Sequence, residues 1–320
     1  MKILIVGGTA FVGRAIAWSA WHNEHEITVL NRGETTSDLP ESVERLIGDR
    51  RGDLSALEGR SFDATIDVIA YRPSDVERLA QALDGRGGHY VQISSISAYE
   101  DPAAPGAIES MLTLTNDPKD LEAPITETTY GPLKAASERA GVALFGDDSA
   151  MVRPTYVIGS HDSTLRFPYW VERARRGGVI AMPGPEDSVI QYVDARDLAN
   201  FVVRVTEGGL PGAYHVAGPT PPLTYIQMVD AVARHVAPTG TSISVVSPEE
   251  VRAEGLADKF PLWSPVVENV AALDSSLALS QGLQLRPLDD SVDDVVEWWG
   301  DREWPKRWLT SDEESRLLHR

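Results

Sequence analysis

The chain of 320 residues contains no cysteine. That one absence excludes disulfides, thiolate zinc sites and cysteine nucleophiles together. No apolar run approaches the ~18–20 residues that a membrane-spanning helix needs. A strand-like pattern begins at Lys2 and leaves no room ahead of it for a signal or transit peptide, so a cytoplasmic location is expected. Positive charge is also scarce, with 29 Lys+Arg against 48 Asp+Glu and a net charge of −19. Wrapping DNA or RNA requires clustered cations on phosphates, and an anionic membrane surface requires the same. Neither partner is expected. Lysine is rarest of the charged residues, limited to Lys2, Lys119, Lys134, Lys259 and Lys306. A lysine in a chemically meaningful place therefore carries weight.

At 42% hydrophobic residues the chain can bury a real core, which excludes disorder and a stapled mini-fold. Its length predicts one large or two modest domains. Ile3-Leu4-Ile5-Val6 is the continuous apolar run of a parallel strand buried on both faces. Residues 11–21 read as a helix with Phe11, Ala15, Trp18 and Trp21 on one side. Further strands are expected over 26–30, 43–47, 64–69 and 89–93. Between the last two lies a helix with Ser74 as N-cap and Val76, Leu79 and Leu83 inward. A long helix follows over 130–145. Strands separated by helices imply a parallel sheet with right-handed crossovers.

Past Pro154 prolines and glycines multiply and the rhythm weakens, although 213–216 still reads as a strand. The expected fold is α/β: a Rossmann-type doubly wound parallel sheet over residues 1–155, to which the chain returns around 189–217. A smaller mixed α/β substrate lobe occupies 156–320. The tryptophans Trp298, Trp299, Trp304 and Trp308 read as packing for a terminal helix. Asp289-Asp290 and Asp293-Asp294 read as a charged helix approach, with Asp293-Asp294 near the first turn.

The turn Gly7-Gly8-Thr9-Ala10-Phe11-Val12-Gly13 joins the first strand to the first helix. Gly7 permits the tight turn, the helix N-terminus offers N–H groups to a pyrophosphate, and Gly13 lets the helix pack closely on the sheet. Gly7, Thr9, Ala10, Phe11, Val12 and Gly13 are therefore candidate dinucleotide ligands. The second strand ends in Leu30-Asn31-Arg32, where an acidic residue would select NAD by binding the ribose 2′-hydroxyl. Neutral Asn31 and cationic Arg32, with Arg14 on the same side, favour NADP over NAD. Arg32 otherwise reads as a solvated loop residue. Asp49 and Arg50, after the third strand, are further cofactor candidates.

Tyr130-Gly131-Pro132-Leu133-Lys134 places Tyr and Lys at i and i+4 on one helical face, with Pro132 compatible with a first turn. A nearby ammonium favours the phenolate and lowers a tyrosine from ~10, which makes Tyr130 a credible general acid/base. The serine cluster Ser94-Ser95-Ile96-Ser97 ends the fifth strand, at the carboxyl edge where such sheets bind ligands. His22-x-x-His25 lacks a third ligand, so no metal is expected.

Taken in this order, these motifs resemble the extended short-chain dehydrogenase/reductase superfamily, and within it the NAD(P)-dependent epimerase/dehydratase group. Arg153-Pro154-Thr155-Tyr156-Val157-Ile158-Gly159 and Val193-Asp194-Ala195-Arg196-Asp197 add to the likeness. The resemblance implies Ser95, four residues before Tyr99, as catalytic serine, with Ser94 as its fallback. It makes Tyr130 the acid/base and Lys134 its modulator and a ribose ligand. It also puts Ala70 and Pro154 beside the cofactor, and Ser97, Tyr156, His161, Tyr192 and Arg196 near a substrate. Ala10 stands where a glycine is usual, and Ile69-Ala70-Tyr71 departs from the small residues expected after the fourth strand. These departures look closer to an atypical branch that holds reductases and chloroplast RNA stem-loop-binding proteins.

The expected function is hydride transfer at a hydroxyl or carbonyl carbon of a polar, sugar-like small molecule. The alternatives are a stand-alone NADPH-dependent ketone reductase, or a non-catalytic, cofactor-bound regulatory or RNA-binding protein. Family members often form homodimers through the helices after the fourth and fifth strands.

Overall fold

The computed structural model describes residues 1–101, 106–263 and 272–319. In chain order the strands and helices are β1 (Lys2–Val6), α1 (Phe11–His22), β2 (Glu26–Asn31), β3 (Glu44–Ile47), β4 (Ala64–Asp67), α2 (Pro73–Leu83), β5 (His89–Ile93), α3 (Glu127–Phe145) and β6 (Ala150–Pro154). They continue with β7 (Tyr156–Ile158), α4 (Arg166–Arg176), β8 (Val179–Pro183), β9 (Val189–Asp194), α5 (Ala195–Gly208), β10 (Gly212–Val216), β11 (Gly218–Thr224) and α6 (Tyr225–Val236). The rest are β12 (Ser242–Val246), α7 (Pro248–Ala253), α8 (Ser276–Ser280), α9 (Leu288–Trp299) and α10 (Ser311–Leu318). The chain divides into two compact units. The first comprises Met1–Val157, Ala195–Ala217 and Leu273–Gln284; the second comprises Ile158–Asp194, Gly218–Ala272 and Leu285–Arg320.

The first unit is built on a seven-stranded sheet in the order β10-β6-β5-β4-β1-β2-β3, with every pairing parallel. Parallel strands are covered on both faces, and Ile3, Leu4, Ile5 and Val6 are accordingly all buried. The order reverses at β1, which pairs with β2 on one side and β4 on the other, and ligands of doubly wound sheets bind at such a switch point. Right-handed crossovers send α1 and α5, which pack together, to one face of the sheet; α2 and α3, also packed together, lie on the other. On the α2 side, Val76, Leu79 and Leu83 are fully buried against Leu4, Val6, Leu30 and Tyr90.

The sequence left open which face of α1 turns inward, and three local expectations need correction. The buried side of α1 is Gly13, Ile16, Ala17 and Ala20, whereas Trp21 is 37% exposed. Close approach decides the rotation of this helix: Gly13, Ala17 and Ala20 go inward with Ile16, while Trp18, Trp21 and His22 meet edge-on or tilted on the other side. Helix α2 starts at Pro73 with Arg72, not Ser74, as N-cap. Proline suits the first helical position, and Asp75 Oδ2 accepts the Tyr71 and Arg72 N–H groups at 3.1 Å each. Helix α3 begins earlier than Tyr130, because Thr126 and Thr129 form a reciprocal cap that starts it at Glu127. Pro132 thus lies inside the helix rather than in its first turn. In α9 the first turn holds Asp289 and Asp290, not the second acidic pair. Asp293 instead accepts from His235 Nε2 at 2.7 Å, and Asp294 from the Ser160 N–H at 3.2 Å.

The second unit pairs β9 with β11 antiparallel and β8 with β12 parallel. Helices α4, α6 and α9 pack on one another. Its core is aromatic: Phe167, Tyr169 and Trp170 of α4 are fully buried, and Trp299 stacks on Trp308 at 5.0 Å. A buried Arg173–Glu314 pair (2.8 Å) fastens α10, and the same carboxylate accepts the Ala181 N–H.

Candidate active site

The glycine turn is held by close packing. Gly7 adopts φ +91° and donates its N–H to Leu30 O at 2.9 Å. A Cβ on Gly13 would lie 2.0 Å from Gly7 O, so only glycine lets α1 come this near to the strand. The N-cap residue Ala10 provides no side-chain cap, and the first turn contains no acidic residue. The first-turn N–H groups lack intrahelical acceptors and point out of the positive end of the helix. This cradle fits a pyrophosphate in shape and in charge.

At the end of β2 the cations are committed to carboxylates. Arg32 pairs with Glu34 at 2.8 Å, both side chains being 65% exposed. Arg14 makes a forked pair with Asp38 at 2.8 and 2.5 Å. Asn31 Oδ1 accepts the Gly33 N–H, and Asp49 Oδ1 the Arg51 N–H, so both side chains shape turns. Arg50 is buried, with its guanidinium forked onto Asp67 at 2.6 and 2.9 Å. Burial works against that charge, but Asp67 outweighs it and raises the guanidinium above its ordinary range.

The end of β5 and the start of α3 meet backbone to backbone. Ser95 caps a short 3₁₀ turn, with its Oγ accepting the Ser97 N–H at 3.1 Å and donating to Ser97 Oγ at 3.2 Å. A Cβ on Gly131 would come within 2.2 Å of Ser97 O. Glycine beside Tyr130 is thus what lets the tyrosine-bearing turn rest on the serine loop. Sequence reading passed over Gly131. The Ser94 hydroxyl is buried without a hydrogen-bond partner among the described residues.

One turn beyond Tyr130, Lys134 is 2% exposed. Its Nζ donates to Ala70 O at 2.9 Å and to Ile93 O at 2.8 Å, and lies 4.5 Å from the centre of the Tyr71 ring. Burial pushes the ammonium down to about 8, against the pull of Asp67 and Glu138. The Tyr71 and Tyr130 rings are 6.3 Å apart, and burial raises the Tyr71 phenol. The sequence showed Tyr71 only as a departure from pattern.

Beneath the site Arg153 forks onto Glu138 at 2.9 and 2.5 Å and donates to Tyr99 OH at 2.6 Å; that hydroxyl is 2.6 Å from His215 Nε2. Pro154 closes β6 one residue later. Tyr156 lies in β7 and Arg196 at the start of α5. In the second unit His161 adopts φ +61° and faces Trp298 at 5.4 Å. Tyr192 is buried, which pushes its phenol up to about 12.

The chloroplast stem-loop binding protein of 41 kDa b from Arabidopsis thaliana is 24% identical over 221 residues, which is 64% of this chain and 54% of that protein. The chain therefore spans about half the length of that relative. Among solved structures, DesIV, a dTDP-glucose 4,6-dehydratase from Streptomyces venezuelae with NAD and TYD bound, superposes with a TM-score of 0.69 at 19% identity, covering 93% of this chain and 97% of the other. The UDP-N-acetylglucosamine 4-epimerase from Bacillus cereus gives 0.68 at 17%, covering 96% and 99%. Both likenesses are of fold. No helix among the described residues is long and apolar enough to cross a membrane. The sequence profile of the NAD dependent epimerase/dehydratase family matches residues 3–217, two-thirds of the chain, and the chain belongs to that family.

Proposed function

We propose that this family member is a cytoplasmic NAD(P)-dependent oxidoreductase or epimerase acting at a hydroxyl-bearing carbon of a polar, sugar-like small molecule. When bound, the dinucleotide supplies a hydride acceptor or donor at its nicotinamide ring. The chain's own residues do the rest. Tyr130 takes the hydroxyl proton, or returns it, at its phenol oxygen. Ser95 holds the reacting oxygen, and Lys134 lends positive charge to the Tyr130 phenolate. Ala70 and Pro154 shape the cofactor side. Ser97 and Tyr156 are proposed to touch substrate, as are Arg196, His161 and Tyr192.

The observation that carries this reading is the contact of the Gly131 turn with Ser97 O, one helical turn before a buried lysine. That contact rests the serine loop on the turn of α3 that carries Tyr130, which supports a role for both in one site. Sugar-like substrates are proposed because the similar dehydratase and epimerase structures are named for nucleotide sugars. NADP is proposed ahead of NAD because Arg32 and Arg14 flank the end of β2. A 2′-phosphate there would compete with Glu34 and Asp38 for the two guanidiniums.

Tyr130→Phe tests the mechanism. With a panel of UDP- and dTDP-sugars, turnover should fall by about 10²–10⁴-fold, while NADP⁺ affinity measured by tryptophan fluorescence stays within twofold. Unchanged turnover would sink the proposal. The relative named for stem-loop binding favours RNA as a second reading. A net charge of −19 opposes it, and tight, salt-sensitive retention of an RNA stem-loop on filters would reverse the ranking.

A further inference from the structure

The structure assigns Tyr71 a role of its own: we infer that its ring face holds the Lys134 ammonium charged and in position one helical turn from Tyr130, making Tyr71 a positioning residue of the site. The inference rests on the reading of Lys134 as the partner of Tyr130. An ammonium has three N–H donors and no acceptor. Two are used on Ala70 O and Ile93 O, at the ends of the segments that follow β4 and close β5. The Tyr71 ring is 4.5 Å from the same nitrogen, within the range at which an aromatic face attracts a cation. Aromatic quadrupoles act most strongly where water is excluded, and Lys134 is 2% exposed. Tyr71 is also the aromatic neighbour of Tyr130 at 6.3 Å, so one side chain touches both members of the Tyr–Lys pair.

The position of Tyr71 is itself fixed. Its backbone N–H donates to Asp75 Oδ2, and Arg72 beside it donates from Nη2 to Ala123 O at 2.7 Å. Charges face Lys134 from each surrounding element: Asp67 from β4, Asp75 from α2, Arg50 from the segment after β3, and Glu138 one turn on in α3. Asp67 is already forked onto Arg50. The carboxylate nearest in influence is therefore shared, and burial still prevails over it. An uncharged but polarised ring adds cation stabilisation at this point without another ion to desolvate.

The test uses the whole protein labelled with ¹³C at lysine Cε. Only five lysines contribute signals, and Lys134 is assigned by its loss in Lys134→Arg. The Lys134 midpoint should be near 8 in the parent protein. Tyr71→Phe keeps the ring and should leave it almost in place. Tyr71→Leu keeps apolar bulk without a quadrupole and should lower it by about one pH unit, a tenfold change in the protonation ratio. Equal midpoints in the Phe and Leu proteins, or a rise in the latter, would overturn the inference. If Tyr71→Leu does not fold, phenylalanines of increasing fluorination at position 71 keep the shape and weaken the quadrupole. A stepwise fall supports the role, and a flat series overturns it. The titration needs neither cofactor nor substrate. Full turnover in Tyr130→Phe would therefore remove the catalytic reading and leave this measurement standing, whereas a flat series would do the reverse.

Discussion

The two ends of the proposed dinucleotide site are made of different materials. At the end of β2, charge is carried by the solvated Arg32 and the half-buried Arg14, which already hold the exposed carboxylates Glu34 and Asp38. At the ends of β4 and β5, charge is carried by Lys134, Arg50 and Asp67, all below one-tenth exposed and placed by backbone carbonyls and forked pairs. Exposed pairs contribute little and exchange partners readily, since water competes for both members. Buried ones are costly to leave half-made and so impose a single geometry. The first end can adapt to what binds there, whereas the second must be correct before anything binds.

The largest break in this contrast should come from Asp67→Asn. It leaves the Arg50 guanidinium, 7% exposed, without its forked carboxylate. Removal of one member of a buried pair costs about 3–5 kcal/mol, so urea unfolding should show a loss of that size. A loss below about 1 kcal/mol would place the pair with the exposed ones.

Next in size is the pH dependence created by Lys134. Its ammonium is held near 8 in the fold against 10.5 when unfolded. Between those values the unfolded chain binds the extra proton, so stability rises with pH across that window. At 1.36 kcal/mol per pH unit the rise amounts to roughly 3 kcal/mol. Measured as the difference between the parent protein and Lys134→Met, it should grow from pH 8 to 10.5 and be flat below pH 7. A flat difference throughout would mean that the buried ammonium has an ordinary affinity for its proton.

The same contrast explains what could be read from the sequence. The apolar run of β1, the glycine spacing of the first turn and the Tyr130–Lys134 interval are local patterns, visible because sheet burial, close approach and helical repeat act over a few residues. The rotation of α1 was not legible in this way. Phe11, Ala15, Trp18 and Trp21 share a side by spacing, but which face turns inward is set by the close approach of Gly13 to Gly7 O, which buries Gly13, Ile16, Ala17 and Ala20. Start positions failed where a cap overrode the pattern, as Thr126 does for α3 and Pro73 for α2. The pairing of the cofactor candidate Arg50 with Asp67 at the end of β4 is non-local, and no local signal announces it. Gly131 had a readable signal, a glycine inside a helix next to a candidate catalytic residue, which points to close backbone approach.

The smallest predicted effect concerns the exposed end. Arg32→Ala should leave unfolding unchanged, because the pair it breaks with Glu34 is solvated on both sides. It should weaken NADP⁺ binding by about tenfold, equivalent to 1.4 kcal/mol, and leave NAD⁺ binding as it was. Glu34→Gln frees the same guanidinium from its carboxylate and should tighten NADP⁺ by a few-fold, since the 2′-phosphate then gains Arg32 without displacing an ion. Paired titrations of both cofactors against both variants separate the effects. Opposite shifts for NADP⁺ with constant NAD⁺ would establish Arg32 as the discriminating cation. Parallel losses for both cofactors would instead make the β2 end a structural turn, and cofactor choice would then have to reside with Arg14 and Asp38.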